Sequence, residues 1–414
     1  MNAAQRAARR IVFGALARMR GGRVELIQPD GRRFAFGDPS VDLSAAVVIH
    51  SPAFYRAVLG GSIGLGESYR DGVWDSDDPV ALIRIACRNM PALDRWRRRA
   101  QPLLAPLHRT IWRVPRNTRA KSRRHISSHY DLGNDLFALF LDESMMYSAA
   151  WFPHPEASLA EAQEARLDRV CRALELGPED HLLEVGSGWG GFAVHAASRF
   201  GCRVTTTTIS AEQREGALRR IATAGLEDRV TVLLDDYRDL RGRYDKLVSL
   251  EMIEAVGWQY FDLFFRRCSE LLEPDGLMFL QAIVVDDRAF KLERAARSFA
   301  NTLIFPGGCL PSVEVIQRCV AAQTDLSTVW LEDISPHYAR TLELWRQRFL
   351  ANSDLAAELG YDEPFRRLWT LWLAMSEAGF REGRIRDVQV LFAKPGRRPA
   401  LEATRTIEPG TLAS

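Results

Sequence analysis

The sequence predicts an α/β protein, a mainly parallel sheet with helices on both faces, preceded by a small α+β region. Three observations carry this. From about residue 125 to 395, apolar strand-like runs alternate with amphipathic helical ones. The first of those strands opens into "LLEVGSGWGG" (182–191), where glycines stand at 186, 188, 190 and 191. Nearer the N-terminus, "RVELIQPDGRRFAFG" (23–37) alternates apolar and polar residues around Pro-Asp-Gly, a hairpin signal.

The first 20 residues carry Arg6, Arg9, Arg10, Arg18 and Arg20 before any acid. Ile11, Val12, Leu16 and Met19 recur at helical spacing. The arginines break the apolar stretch too soon for a signal peptide. An amphipathic basic helix is expected, docked on the domain or on a membrane surface. The glycine-rich "AVLGGSIGLGESYRDGVWDS" (57–76) follows, with interleaved aromatics and no catalytic constellation.

"RWRRRAQPLLAPLHRTIWRVPRNTRAKSRR" (95–124) holds many arginines and no acid. Three prolines argue against one continuous helix. The stretch reads either as a solvated linker or as a contact for an anionic lipid surface, since Trp96, Leu103, Leu104 and Trp112 are interleaved. It is not read as a nucleic-acid site. The expected organisation is a small N-terminal domain (1–94), this basic linker (95–124), the α/β domain (125–395) and a flexible tail (396–414).

Within the α/β domain, "HLLEVGSG", "CRVTTTTIS", "RVTVLLDD", "YDKLVSLEM" and "GLMFLQAIVV" read as strands. "FAVHAASRF", "AEQREGALRRIATAG" and "YFDLFFRRCSELL" read as helices between them. "VQVLFAKP" (388–395) is a last strand, expected at the sheet edge. The stretches 125–152 and 286–350 lie outside the alternation and are candidates for a cap. No apolar run approaches the roughly 18 residues of a bilayer span. Six scattered cysteines suggest neither zinc nor disulfides and point to a reducing cytoplasm. His129, His195 and His337 are assigned no metal or base duty.

The glycine loop does not suit a pyrophosphate. Its spacing departs from G-x-G-x-x-G, no acid ends the second strand, and no Lys-Ser or Lys-Thr follows. An acid, Glu184, stands just before the glycines. Acid followed by G-x-G-x-G resembles the first motif of S-adenosylmethionine-dependent methyltransferases. That cofactor has no pyrophosphate, but its ammonium needs an acceptor and its bulk needs bare backbone.

Five further motifs occur in order: "HYDLGNDLFALFLDESMMYSAAWF" (129–152), "TTISAEQ" (207–213), "DDYRDL" (235–240), "EMIEAVG" (251–257) and "IFPGGCLPS" (304–312). Together they resemble the cyclopropane-fatty-acyl-phospholipid synthase family, which includes the mycolic acid cyclopropane synthases. The resemblance implies a Rossmann-like class I methyltransferase with a seven-stranded sheet and a helical cap. It implies that Tyr147, Ser148, Gly186, Gly188 and Gly190 meet the cofactor's methionine end together with Glu184. Thr208 and Ile209 would flank the cofactor and Gln213 would take the ribose hydroxyls. Asp236 and Tyr237 would lie at the adenine.

The implied reaction is methyl(ene) transfer to the double bond of an unsaturated phospholipid acyl chain, through a carbocation, giving a cyclopropane fatty acid. A methylene or methyl-branched product is the alternative, and an amine N-methyltransferase the second alternative. In the family a bound bicarbonate is the base, held by Cys, Glu, His, a backbone Ile and Tyr. The matching positions are Ala149, Glu254, Gln281, Ile283 and Tyr338, so the Cys and the His are replaced. Glu251 is read as the lesser acid, one helical turn from Glu254. Phe305, Pro306, Gly307 and Gly308 are expected to shape the acyl channel or its lid, and Cys309 to pack. The implied partners are unsaturated membrane phospholipid, a second copy in a homodimer, and a separate reductase if the product is a methylene chain. The implied location is cytoplasmic, peripheral to the inner face of the membrane.

Overall fold

The computed structural model describes residues 1–91 and 133–397. The basic stretch 95–124, His129, the two ends of the expected linker and nearly all of the tail lie outside the described residues.

The predicted hairpin forms. Strands β1 (Arg23–Ile27) and β2 (Arg33–Gly37) pair antiparallel. Strands β3 (Ser44–Ile49) and β4 (Trp74–Ser76) complete a sheet ordered β2-β1-β3-β4, in which β1 and β3 run parallel. Helix Ala3–Leu16 starts at Asn2, whose side chain and backbone form a capping box with Gln5. Its apolar stripe docks on the sheet: Ala8 and Val12 are buried, and Phe13 meets Phe34 and Phe36. Ile11, expected on that stripe, is instead 58% exposed.

The glycine-rich segment folds as helices Phe54–Leu59 and Gly61–Arg70. Gly66 has a packing reason: a Cβ there would meet the Phe299 ring at 2.1 Å. Helix Gly61–Arg70 and its flanks join the second half of the chain through Arg367, which donates to Tyr69 O (2.7 Å) and Asp75 (2.7 Å). Arg84 and Arg88 add ion pairs to Glu382 (2.8 and 2.9 Å).

The second sheet has seven strands. Strands β5 (His181–Val185), β6 (Arg203–Thr207), β7 (Val230–Leu233), β8 (Tyr244–Leu250) and β9 (Leu272–Val285) run parallel. Strands β10 (Ser327–Asp333) and β11 (Ile385–Ala393) finish the order β10-β11-β9-β8-β5-β6-β7, and β11 is antiparallel to both neighbours. Two expectations are corrected here. β11 is not the edge strand, because β10 lies outside it. And 286–350 is not all cap, because it contains β10, whose "STVWLED" was obscured by its mostly exposed face.

The strand order reverses between β5 and β8. A crevice therefore opens at the C-terminal ends of these two neighbours, the usual ligand position of such sheets. The glycine loop leaves β5 there and Glu251 follows β8. Above them sit helix Asn134–Ala138, the π-helical turn Ala300–Ile304, and helices Ser335–Ala351 and Glu363–Arg381. Their inner faces are aromatic: Phe137, Phe140, Trp345 and Trp369 are buried in one apolar cluster. No helix of the described residues is long and apolar enough to cross a membrane.

Candidate active site

On the β5 side, backbone conformation does most of the work. Gly186, Gly188 and Gly190 all have positive φ (105°, 47° and 82°), the region that favours glycine. Gly186 faces Met252, 3.1 Å from where its Cβ would be. A Cβ on Gly188 would meet nothing within 4 Å, so bare backbone faces open space there. Helix Gly191–Phe200 begins directly after the loop and turns its N-terminal amides toward it.

Glu184 is 2% exposed and accepts the Thr206 hydroxyl at 2.6 Å from the neighbouring strand. Burial pushes its carboxyl up to about 8, partly offset by that hydrogen bond. Thr206, expected only as a strand former, thus holds the motif acid in place. Thr208 donates to Gln213 Oε1 (2.8 Å), which leaves Gln213 Nε2 with no partner among the described residues. Ile209 is half-buried between them. Asp236 is held by Arg238 through two hydrogen bonds (2.7 and 2.5 Å). Tyr237 beside it is buried, and its hydroxyl finds no partner among the described residues. Bare glycine backbone, an unpartnered amide donor and a buried phenol suit a nucleoside-bearing cofactor that lacks a pyrophosphate.

On the β8 side, side chains converge from far apart in sequence. Glu251 follows the last residue of β8 with φ +51°, a left-handed conformation unusual for a non-glycine residue. It is not one helical turn before Glu254 on a helix, as expected. A 3₁₀ turn, Ile253–Ala255, begins only after it. The Glu251 carboxylate takes four donors. Oε1 accepts from Ser148 Oγ (2.7 Å), Ala149 N (2.9 Å) and Gln281 Nε2 (2.6 Å). Oε2 accepts from Tyr338 Oη (2.7 Å). So Ala149, Gln281 and Tyr338, expected with Glu254 around one bound anion, meet on the Glu251 carboxylate. Ile283 N alone of the expected donors goes to Glu254 Oε1 (2.6 Å), and Glu254 Oε2 is buried without a partner.

Three carboxyls crowd this centre, and their surroundings set them apart. Burial pushes Glu254 up to about 8, and the charge of Glu251 adds to that. Burial raises Asp387 well above the carboxylate range, with Glu251 and Glu254 adding to it. Four donors gather on Glu251, whereas burial favours the neutral form of the other two. Burial also drives the Tyr338 hydroxyl well up, which keeps it a donor.

Gln281 is oriented by a chain of fixed donors. Arg169, which can only donate, gives Nε to Gln389 Oε1 (2.9 Å) and pairs with Glu332. Gln389 Nε2 therefore faces Gln281 Oε1 (3.0 Å), across the β9–β11 pairing that sets these two residues opposite each other. Gln281 Nε2 is left to face Glu251 and Asp387 Oδ2 (2.9 Å). Behind Ser148, Gln163 Nε2 holds its carbonyl (2.9 Å), and fully buried Arg166 donates to Gln163 Oε1 (3.2 Å). Burial lowers the pKa of Arg166, and the charges of Glu251 and Asp387 oppose the loss of its proton.

His337 serves this scaffold as an acceptor. Its Nδ1 takes the Phe152 amide (3.0 Å), and burial with the nearby Arg169 charge pushes it down to about 4. Thr341 takes the Ala150 amide (3.1 Å), so helix Ser335–Ala351 pins the segment carrying Ser148 and Ala149. His195 pairs with Asp168 (2.8 Å), away from this centre. Tyr147 stacks on Trp345 with ring centres 5.2 Å apart, and Phe305 sets its edge against Trp372. Cys309 donates its amide to Glu254 O (2.9 Å), and burial raises its thiol to about 12, in keeping with packing.

The residues that sequence reasoning missed are Asp387, Gln389, Gln163, Arg166 and Arg169. A signal existed for two of them. Asp387 and Gln389 are polar and two apart in a mostly apolar strand, so they share one face of it.

A seven-stranded sheet of this order, with a glycine loop after its first strand and a bare-backbone crevice beside it, defines a class I S-adenosylmethionine-dependent methyltransferase. The comparisons narrow this. The family model "Mycolic acid cyclopropane synthetase" matches residues 117–390, and the chain belongs to that family. It is 38% identical over 386 residues to a tuberculostearic acid methyltransferase of Mycobacterium tuberculosis, covering 90% of this chain and 88% of the relative. It is 36% identical over 365 residues to the cyclopropane-fatty-acyl-phospholipid synthase of Escherichia coli, covering 84% and 88%. Among solved structures, a mycolic acid cyclopropane synthase complexed with SAH and CTAB matches with a TM-score of 0.62 and 31% identity, over 66% of this chain and 98% of that one. S-adenosylmethionine is the cofactor, and when bound it would supply an electrophilic methyl group.

Bicarbonate, the base of the family, does not fit the residues present. Three of its five expected partners, Ala149 N, Gln281 Nε2 and Tyr338 Oη, are committed to Glu251, and Ile283 N is committed to Glu254. A second anion would also stand directly against the Glu251 charge.

Proposed function

We propose that this protein methylates the double bond of an unsaturated acyl chain in a membrane phospholipid. The observation that supports this reading is a carboxylate with four donors beside an aromatic cluster: Glu251 accepts from Tyr338, whose ring meets Trp345 in the cluster that also holds Phe137, Phe140 and Tyr147. An alkene that gains a methyl leaves a carbocation on the chain. Such a cation needs fixed negative charge nearby and no water to quench it. An amine acceptor would carry its charge on nitrogen and would need no such dry anion.

For the end product we infer an exomethylene chain, which a separate reductase would convert to a methyl branch. In both this product and a cyclopropane, the proton leaves from the delivered methyl. They differ in whether a hydride crosses to the cationic carbon first. Replacement of the family's Cys and His by Ala149 and Gln281, and 38% identity to a tuberculostearic acid methyltransferase, favour the methylene outcome. Cyclopropane is the second reading, favoured by the 36% identity to the Escherichia coli synthase.

The test is a product assay. Purified protein is incubated with methyl-deuterated S-adenosylmethionine and vesicles of monounsaturated phospholipid, and the acyl chains are read by mass spectrometry and NMR. Deuterated exomethylene signals support the leading reading. Cyclopropane signals replace it with the second, and no label in lipid overturns both.

A further inference from the structure

We propose that Glu251 is the protein's own general base, and that the reaction needs no bicarbonate. The assignment rests on the reading of an acyl-chain cation given above. It deepens that reading by naming the group that takes the proton.

The two oxygens of Glu251 are not equivalent. Oε1 already accepts three hydrogen bonds, from Ser148, Ala149 and Gln281. Oε2 accepts one, from Tyr338. A carboxylate oxygen offers two lone-pair directions, so Oε2 keeps one for an incoming proton. In the step, a C–H bond of the delivered methyl breaks. Its electron pair forms the new carbon–carbon bond to the cationic carbon, σ in a ring or π in an exomethylene. The proton lands on Oε2, and the chain's positive charge and the carboxylate's negative charge cancel together. Water must then remove the proton before the next turnover.

Three further features mark Glu251 out. Its φ of +51° stores backbone strain that four hydrogen bonds from three other segments hold in place. Its neighbours supply donors and no cation in direct contact, so its charge is solvated without being ion-paired. And Glu254, the acid that the motif recommends, has one buried oxygen without a partner among the described residues and only backbone donors, a poor seat for a permanent charge.

The experiment compares wild type with Glu251→Gly in buffer stripped of carbon dioxide, with and without added bicarbonate. Glycine suits the positive φ and removes the carboxylate without blocking the donors. The readouts are methyl incorporation into vesicles of monounsaturated phospholipid and S-adenosylhomocysteine binding by calorimetry. Wild type is expected to keep its rate within about twofold with or without bicarbonate. Glu251→Gly is expected to bind S-adenosylhomocysteine normally, to lose about 100-fold or more in rate, and to recover part of it when bicarbonate enters the emptied site. A wild-type rate that collapses without bicarbonate overturns the proposal while leaving the substrate reading intact. So does a Glu251→Gly variant that keeps its rate in stripped buffer. Wild type that labels no lipid under any condition overturns the substrate reading, and the assignment with it.

Discussion

The glycine loop and the Glu251 centre stand at the ends of adjacent strands, β5 and β8, and a Cβ on Gly186 would meet Met252 between them. The loop is one continuous stretch whose shape comes from three positive φ angles. The Glu251 centre takes side chains and amides from residues 148, 149, 281, 338 and 387, none of them local to it. A ligand recognised by backbone can be served by a short motif. A charge held in an apolar interior needs donors from every side, and only the tertiary fold supplies them. The two ends should therefore fail differently when altered.

The largest separation is expected from Gln281→Ala. It removes a donor to Glu251, with the weaker bond to Ser148 Oγ (3.2 Å) and the bond to Asp387, and leaves the glycine loop alone, so turnover should fall about 100-fold with S-adenosylhomocysteine affinity changed far less by calorimetry. A comparable loss of affinity would mean that the two ends are a single unit. Gly186→Ala should do the converse. A Cβ at φ 105° beside Met252 strains the loop, and affinity should weaken by roughly tenfold while the rate at saturating cofactor is largely kept.

Gly66→Leu tests a region remote from both. Its side chain would drive into the Phe299 ring, at a cost of about 1–3 kcal/mol. Thermal unfolding should move down by several degrees while turnover below that temperature is retained. Loss of turnover in a fully folded variant would tie the N-terminal sheet to the cap.

A further effect is on pH. Glu184 and Glu254 are raised by burial from 4.5 to about 8 in the folded chain. A raised acid stabilises the fold fully below its unfolded value and loses that contribution as pH climbs through the folded one. The melting temperature should thus fall between pH 5 and pH 8 for this reason, and Glu254→Gln should flatten the slope. An unchanged slope in that variant would mean that Glu254 is already ionised.

Reading the sequence alone went well where pattern is local. The hairpin around Pro29-Asp30-Gly31, the β5–loop–helix unit and the parallel strands follow from period and punctuation. Strand β10 was hidden because an edge strand with one exposed face lacks the apolar run of its neighbours. Placing β11 at the edge followed from missing it. At the site, motif resemblance names Ala149, Gln281 and Tyr338 with Glu254 around one bound anion, whereas the first three meet on the carboxylate of Glu251, the acid it ranks lower. Which of two acids three residues apart receives the donors depends on the φ of Glu251 and on the Arg169–Gln389–Gln281 chain. Neither leaves a trace in local sequence.

The most direct test of the account sets Glu251→Gln beside Glu254→Gln and measures the initial rate of methyl incorporation into monounsaturated phospholipid. Glutamine fits at 251, since its carbonyl can keep the three donors of Oε1 and the Tyr338 hydroxyl can turn to accept its amide. The account predicts a loss of about 100-fold or more for Glu251→Gln, with Glu254→Gln staying within roughly tenfold of wild type. A Glu251→Gln variant as fast as wild type, beside a Glu254→Gln variant without activity, would contradict it.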